Sequence, residues 1–174
     1  MFKIAAAGLA VLCLMLLPIP MSAQLLPHGN VYVGASYEHS DYVINRYSLR
    51  GWNASVEDIP FPRLLHLGVV LDGSGFYRSG LQQYNLLIGP RWSFQHGKWR
   101  PFVQAMGGLQ RVNSSGTINN PIAIDAGGGV DYKLSGFWIF KNFSWRLQGD
   151  YVHTRFLSAN QSALRGSTGL LWRF

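Results

Sequence analysis

From Asn30 to Phe174, apolar and polar residues alternate with a period of two, the signature of strands that carry one apolar face. Eight segments show it: Asn30–His39, Tyr47–Glu57, Leu65–Asp72, Tyr84–Phe94, Pro101–Arg111, Ile122–Tyr132, Phe143–Tyr151 and Leu164–Phe174. In the first, Val31, Val33, Ala35 and Tyr37 oppose Tyr32, Gly34, Ser36 and Glu38. In the seventh, Phe143, Trp145, Leu147 and Tyr151 oppose Ser144, Arg146, Gln148 and Asp150. Clusters of Gly, Asn, Ser, Asp and Pro separate the segments, and no window repeats apolar residues at helical spacing. The fifth segment leaves its register open, because Phe102 and Met106 compete with Val103, Ala105 and Leu109 for the apolar face. Asp72-Gly73-Ser74-Gly75 reads as the opening of a loop that runs to Leu81, and Pro90 reads as a bulge in the fourth strand.

Eight strands of this kind build either a soluble barrel or sandwich with an apolar interior, or a membrane barrel with an apolar exterior. The placement of acids and aromatics favours the second. Six of the eight acidic residues (Glu38, Glu57, Asp72, Asp125, Asp131 and Asp150) fall on the polar face, and Asp41 and Asp58 fall in connections. No carboxylate lies on the apolar face, where a bilayer would make it costly. Trp52, Tyr84, Trp92, Trp145, Tyr151, Trp172 and Phe174 lie toward the ends of the apolar faces, as interfacial girdles do.

Composition agrees with this reading. The 174 residues are 48% hydrophobic and only 13% charged, against about 25% charged in an average soluble domain. That hydrophobicity excludes intrinsic disorder. The net charge of +7 is spread with no run of like charge longer than two residues, which argues against a nucleic-acid tail. Lys3, the apolar stretch Ile4–Leu17, the helix-breaking Pro18 and Pro20, and Met21-Ser22-Ala23 read as a secretory signal peptide over residues 1–23. That leaves residues 24–174 as one barrel domain. Cys13, the lone cysteine, lies inside the signal.

The end of the chain, Ser167-Thr168-Gly169-Leu170-Leu171-Trp172-Arg173-Phe174, carries a polar residue, then Gly, then apolar and aromatic residues ending on Phe174. Ser167, Gly169, Trp172 and Phe174 in this spacing resemble the C-terminal assembly signal of bacterial outer-membrane barrels. With the strands and the signal peptide, the whole of residues 24–174 resembles the small OmpA-like outer-membrane barrels that lack a periplasmic peptidoglycan-binding domain. The resemblance implies an all-β, eight-stranded, antiparallel up-and-down transmembrane β-barrel with both termini periplasmic. It implies surface loops at His39–Arg46, Gly73–Leu81, Arg111–Asn120 and Thr154–Gln161, with Phe137-Trp138-Ile139-Phe140 dipping into the inner interface. It also implies, as partners, outer-membrane lipids including lipopolysaccharide, the barrel-assembly machinery and an unidentified surface ligand, with the barrel a monomer.

An eight-stranded barrel is only wide enough for side chains to fill. The polar face therefore predicts a lumen charge network of Asp72, Arg91, Asp125, Asp131, Arg146, Asp150, Arg165 and Arg173, paired because buried charges need partners. The remaining basic residues fall at the rims: Arg46, Arg50, Arg78, Arg111 and Arg155 outside, and Arg63, Lys98, Arg100, Lys133 and Lys141 on the periplasmic side. No catalytic, cofactor or metal site is expected. His153 with Ser158 and His66 with Asp72 are the best pairs for nucleophile chemistry, but neither has a complete triad pattern. Lipid A deacylase barrels carry a Ser two residues after their His, where this chain has Arg155. The leading function is a structural or surface-interaction barrel. A narrow small-solute channel is the alternative, and a lipid-modifying enzyme the third.

Overall fold

The computed structural model describes residues 29–41, 46–61, 67–114, 117–134, 142–155 and 160–174. The described residues form strands β1 (Gly29–Asp41), β2 (Arg46–Phe61), β3 (Leu67–Arg78), β4 (Leu81–Ser93), β5 (Trp99–Ser114), β6 (Thr117–Asn119), β7 (Ile122–Lys133), β8 (Phe143–Arg155) and β9 (Asn160–Arg173). All neighbours are antiparallel. The order β4-β3-β2-β1-β9-β8-β7-β5 closes through pairing of β4 with β5, and short β6 extends β5 as a hairpin. The result is a closed, eight-stranded, up-and-down barrel, in agreement with the alternation. Closure leaves β9 no free edge, since it pairs with both β1 and β8.

The barrel is inside-out relative to a soluble one. Val33, Leu86, Ile88, Val103, Leu109, Ile124, Leu147 and Leu164 are exposed on the outside, while Glu38, Glu57, Asp72, Asp125, Asp131, Asp150, Arg91 and Arg146 are buried inside. Tyr84 and Trp92 bracket the outer apolar band on β4. Their separation is about 27 Å along the strand, or about 21 Å along the axis at a tilt near 40°, close to the ~25 Å apolar band of membrane barrels. No helix among the described residues is long and apolar enough to cross a membrane, which leaves crossing by strands untouched.

Several sequence expectations are corrected. Gly73-Ser74-Gly75 is not a loop: β3 runs to Arg78 and turns tightly at Ser79-Gly80 into β4, with Gly80 at φ 76°. Gly75 fits the strand because the Trp52 indole of β2 lies where its side chain would project. Arg111–Asn120 is likewise largely strand, the β5–β6 hairpin. Pro90 makes no bulge. It pairs in register with Val69 and leaves the β4–β5 ladder without changing its register, because proline only withholds a donor there. The irregularity lies instead between Asp58 and Phe61, where the β2–β3 register shifts. On β5, Phe102 and Met106 point inward and Val103 and Leu109 outward. The predicted signal peptide, Phe137-Trp138-Ile139-Phe140, His66 and Ser158 lie outside the described residues.

Candidate functional site: the charged lumen

Inward positions of the strands converge on the barrel axis. The termini end of the barrel holds Gly29, Phe174 and the His96–Trp99 hairpin; the Ser79-Gly80 turn marks the opposite end. All eight sequence-predicted network residues face this interior, and all take part in ion pairs or buried hydrogen bonds.

Toward the opposite end, the Arg165 guanidinium sits among three carboxylates. Nη2 lies 2.9 Å from Asp125, Nε 3.0 Å from Asp150 and Nη1 3.2 Å from Asp72, and Nη1 also donates to Ser74 Oγ at 3.3 Å. A fourth carboxylate, Glu38, accepts from Gln83 Nε2 at 2.8 Å. Arg165, Asp125 and Glu38 are completely or nearly completely buried. An apolar cluster of Val70, Leu87, Met106, Ala123, Val152 and Ala163 lines part of the same interior.

Toward the termini end, Arg146 forms a fork on Asp131 (Nε 2.6 Å and Nη2 3.0 Å) and Arg173 reaches the same carboxylate at 3.6 Å. Glu57 gathers Arg91 and Arg100, each at 3.2 Å, and Arg146 at 3.7 Å, and accepts from Asn30 at 3.0 Å. The Phe102 ring lies between two guanidiniums, with Arg91 Cζ 4.4 Å and Arg146 Cζ 4.5 Å from its centroid. A desolvated cation–π contact of this kind is worth about 2 kcal/mol. Gly129 makes room for that ring, since a Cβ there would meet Phe102 Cζ at 2.8 Å.

Gln104 joins the two halves. Its Oε1 accepts from Arg91 Nε at 2.9 Å and again from Nη2, while its Nε2 donates to Asp150 at 2.9 Å. A continuous chain of polar contacts therefore runs Arg173–Asp131–Arg146–Glu57–Arg91–Gln104–Asp150–Arg165.

Sequence reasoning did not include Glu57, Arg100, Gln104 and Phe102 in this network. Glu57 was visible on the polar face. Arg100 is corrected from the rim to the interior: β5 begins at Trp99, so Arg100 shares the inward parity of Phe102 and Gln104 and is 7% exposed. The signal was there in the parity, hidden by starting the strand at Pro101.

The C-terminal residues occupy the closing seam. Ser167 Oγ meets Ser36 Oγ at 2.9 Å, and Gly169 pairs with Gly34, whose backbone would collide with any Cβ on Gly169. Trp172 and Phe174 point outward with ring centroids 5.3 Å apart, and Phe174 N–H donates to Gly29 O at 3.1 Å. His153 is placed beside Ser162 of β9, Nδ1 to Oγ 3.3 Å, and Tyr151 Oη donates to the same Oγ at 2.7 Å. No carboxylate bonds to His153 among the described residues, and none of their His, Cys, Asp and Glu residues group to hold a metal ion. Asp72 is committed to Arg165 and to Asn53 Nδ2 at 3.4 Å.

No protein-family model and no curated protein matches the sequence. Solved structures do match in fold. Neisserial surface protein A superposes with a TM-score of 0.69 at 14% identity, covering 84% of this chain and 97% of that one. Ail, the attachment invasion locus protein of Yersinia pestis, gives 0.54 at 13% identity, covering 86% and 100%. Ail in complex with the heparin analogue sucrose octasulfate gives 0.54 at 11% identity with the same coverage. The chain thus has the fold of the small, eight-stranded outer-membrane barrels, the OmpA-like architecture that its sequence resembles.

Proposed function

We propose that this chain is an integral protein of the bacterial outer membrane with a structural or surface-interaction role, whose lumen is closed to solutes. The observation that carries the closed lumen is the unbroken polar chain from Arg173 to Arg165, with Phe102 clamped between Arg91 and Arg146 across the waist. Opening a path means separating buried charges from their partners, at about 3–5 kcal/mol for each pair broken. The exposed apolar exterior supports the membrane location, and likeness in fold to Neisserial surface protein A and Ail supports a role at the cell surface. Gly29 and Phe174 lie on the periplasmic side. Arg50, Arg111 and Arg155, exposed and without an ion pair among the described residues, would face phosphates of lipopolysaccharide. The terminal strand, with Ser167, Gly169, Trp172 and Phe174, is what the barrel-assembly machinery would read. The chain works as a monomer, without a cofactor or a catalytic site.

The purified barrel in planar bilayers is expected to give no unitary conductance steps. Regular steps in every preparation would replace the closed reading with the alternative, a narrow small-solute channel. One observation favours that alternative: Tyr32 Oη, Glu38 Oε2, Gln110 Oε1 and Gln148 Oε1 are buried without a hydrogen-bond partner among the described residues, as groups that bind lumen water would be. Outer-membrane fractions should also show a mobility shift between unboiled and boiled samples. A sarkosyl-soluble protein with no shift would overturn the membrane reading.

A further inference from the structure

The lumen charges are sorted along the axis. Three carboxylates (Asp72, Asp125 and Asp150) share Arg165 in one half, where Glu38 also lies, whereas four guanidiniums (Arg91, Arg100, Arg146 and Arg173) share Glu57 and Asp131 in the half nearer the termini. The termini half therefore carries a formal excess of two positive charges in a largely desolvated space. The charged atoms left unpartnered on its inward faces are donors. Arg146 Nη1, Arg173 Nε and Nη2, and Ser144 Oγ are turned from solvent with no hydrogen-bond partner among the described residues. These donors lie close in register: Ser144 and Arg146 follow each other on the inward face of β8, and Arg173 continues the inward face of β9 alongside. Leaving buried charged donors unpaired costs more than leaving neutral ones.

We propose that the termini-end mouth of the barrel is a binding site for a phosphate-type oxyanion, held by Arg173 and Arg146 with Ser144. An oxyanion supplies several acceptors at once, and guanidinium forks match its geometry better than a spherical chloride does. Access is through Arg173, whose side chain is 25% exposed while Arg146 beneath it is fully covered. Arg100, whose side chain is 9% exposed and which pairs with Glu57, adds positive charge at the same mouth. The phosphate comes either as the free anion or as the headgroup of a membrane lipid. The site holds whether or not the lumen conducts.

The folded barrel in zwitterionic detergent is titrated with inorganic phosphate against sodium chloride of equal ionic strength, followed by phosphorus NMR line width. A parallel arm titrates short-chain phosphatidylglycerol against phosphatidylcholine. Saturable binding in either arm is expected, and which arm responds identifies the source. Arg173→Gln should weaken it about tenfold, the cost of one charge-assisted hydrogen bond in a largely covered site. The fold should survive, because Arg146 still covers Asp131. Ser144→Ala gives an independent, smaller loss. No phosphate-specific binding in either arm overturns the proposal, as does binding that Arg173→Gln and Ser144→Ala leave intact.

Discussion

Replacing Arg165 with Ala removes the one guanidinium that serves Asp72, Asp125 and Asp150. At a charge separation near 4 Å and an effective dielectric of 20, each such attraction amounts to about 4 kcal/mol, so about 12 kcal/mol of gross attraction is lost. Most of that offsets the desolvation of the arginine, which the variant no longer requires. What remains is the penalty on three carboxylates left in the interior beside Glu38, at least the 3–5 kcal/mol seen when one buried pair is broken. Arg165→Ala is therefore expected to unfold at markedly lower urea than wild type in phospholipid vesicles, by at least about 3 kcal/mol. The assay is the fraction of unboiled protein that keeps the folded mobility. Adding Asp125→Asn and Asp150→Asn should recover more than half of the loss, because the uncompensated charge is then removed rather than paired. A loss below about 0.5 kcal/mol, the range of ordinary surface substitutions, would refute the argument, as would a triple variant less stable than Arg165→Ala.

Phe102→Ala empties the waist between Arg91 and Arg146, so a loss of about 3–5 kcal/mol is expected in the same titration, with a first appearance of conductance in planar bilayers. Gly169→Val places a side chain against the Gly34 backbone of the closing seam; the yield of folded barrel after dilution into detergent should collapse. Gly149→Ala, with open space around it, should leave that yield unchanged. Leu86→Arg puts a charge in the outer apolar band and should cost about 2–4 kcal/mol in vesicles.

The strand faces were legible because the two faces differ in polarity, as on β8, where Trp145, Leu147 and Tyr151 oppose Arg146, Gln148 and Asp150, and a slip of one residue would invert the whole set. What failed was reading by residue type where the type is ambiguous. Gly73-Ser74-Gly75 has turn composition, yet Ser74 is needed inside for Arg165 and Asn85, and Gly75 lies under Trp52. Phe102 and Met106 are apolar but point inward: Phe102 serves as a wall for two arginines and Met106 joins the interior apolar cluster. Charge pairing along the axis was readable from strand direction, which put Asp125, Asp150 and Arg165 in one half. The role of Gln104 was not, because an amide linking an arginine-rich half to a carboxylate-rich half carries no signature of its own in sequence.

Some interior contacts join positions far apart along the chain: Ser36 to Ser167 across 131 residues, Ser40 to Gln161 across 121, and Asp72 to Arg165 across 93. None of these can form in a hairpin or a half-built sheet, where the same groups would still be hydrated. Hairpin pairs such as Arg146–Asp131 and Arg165–Asp150, 15 residues apart, can form early, but these long-range contacts are a late reward in folding, silent until β1 meets β9. Those contacts reward only the closed barrel, which makes seam closure the committing event of its folding in the membrane.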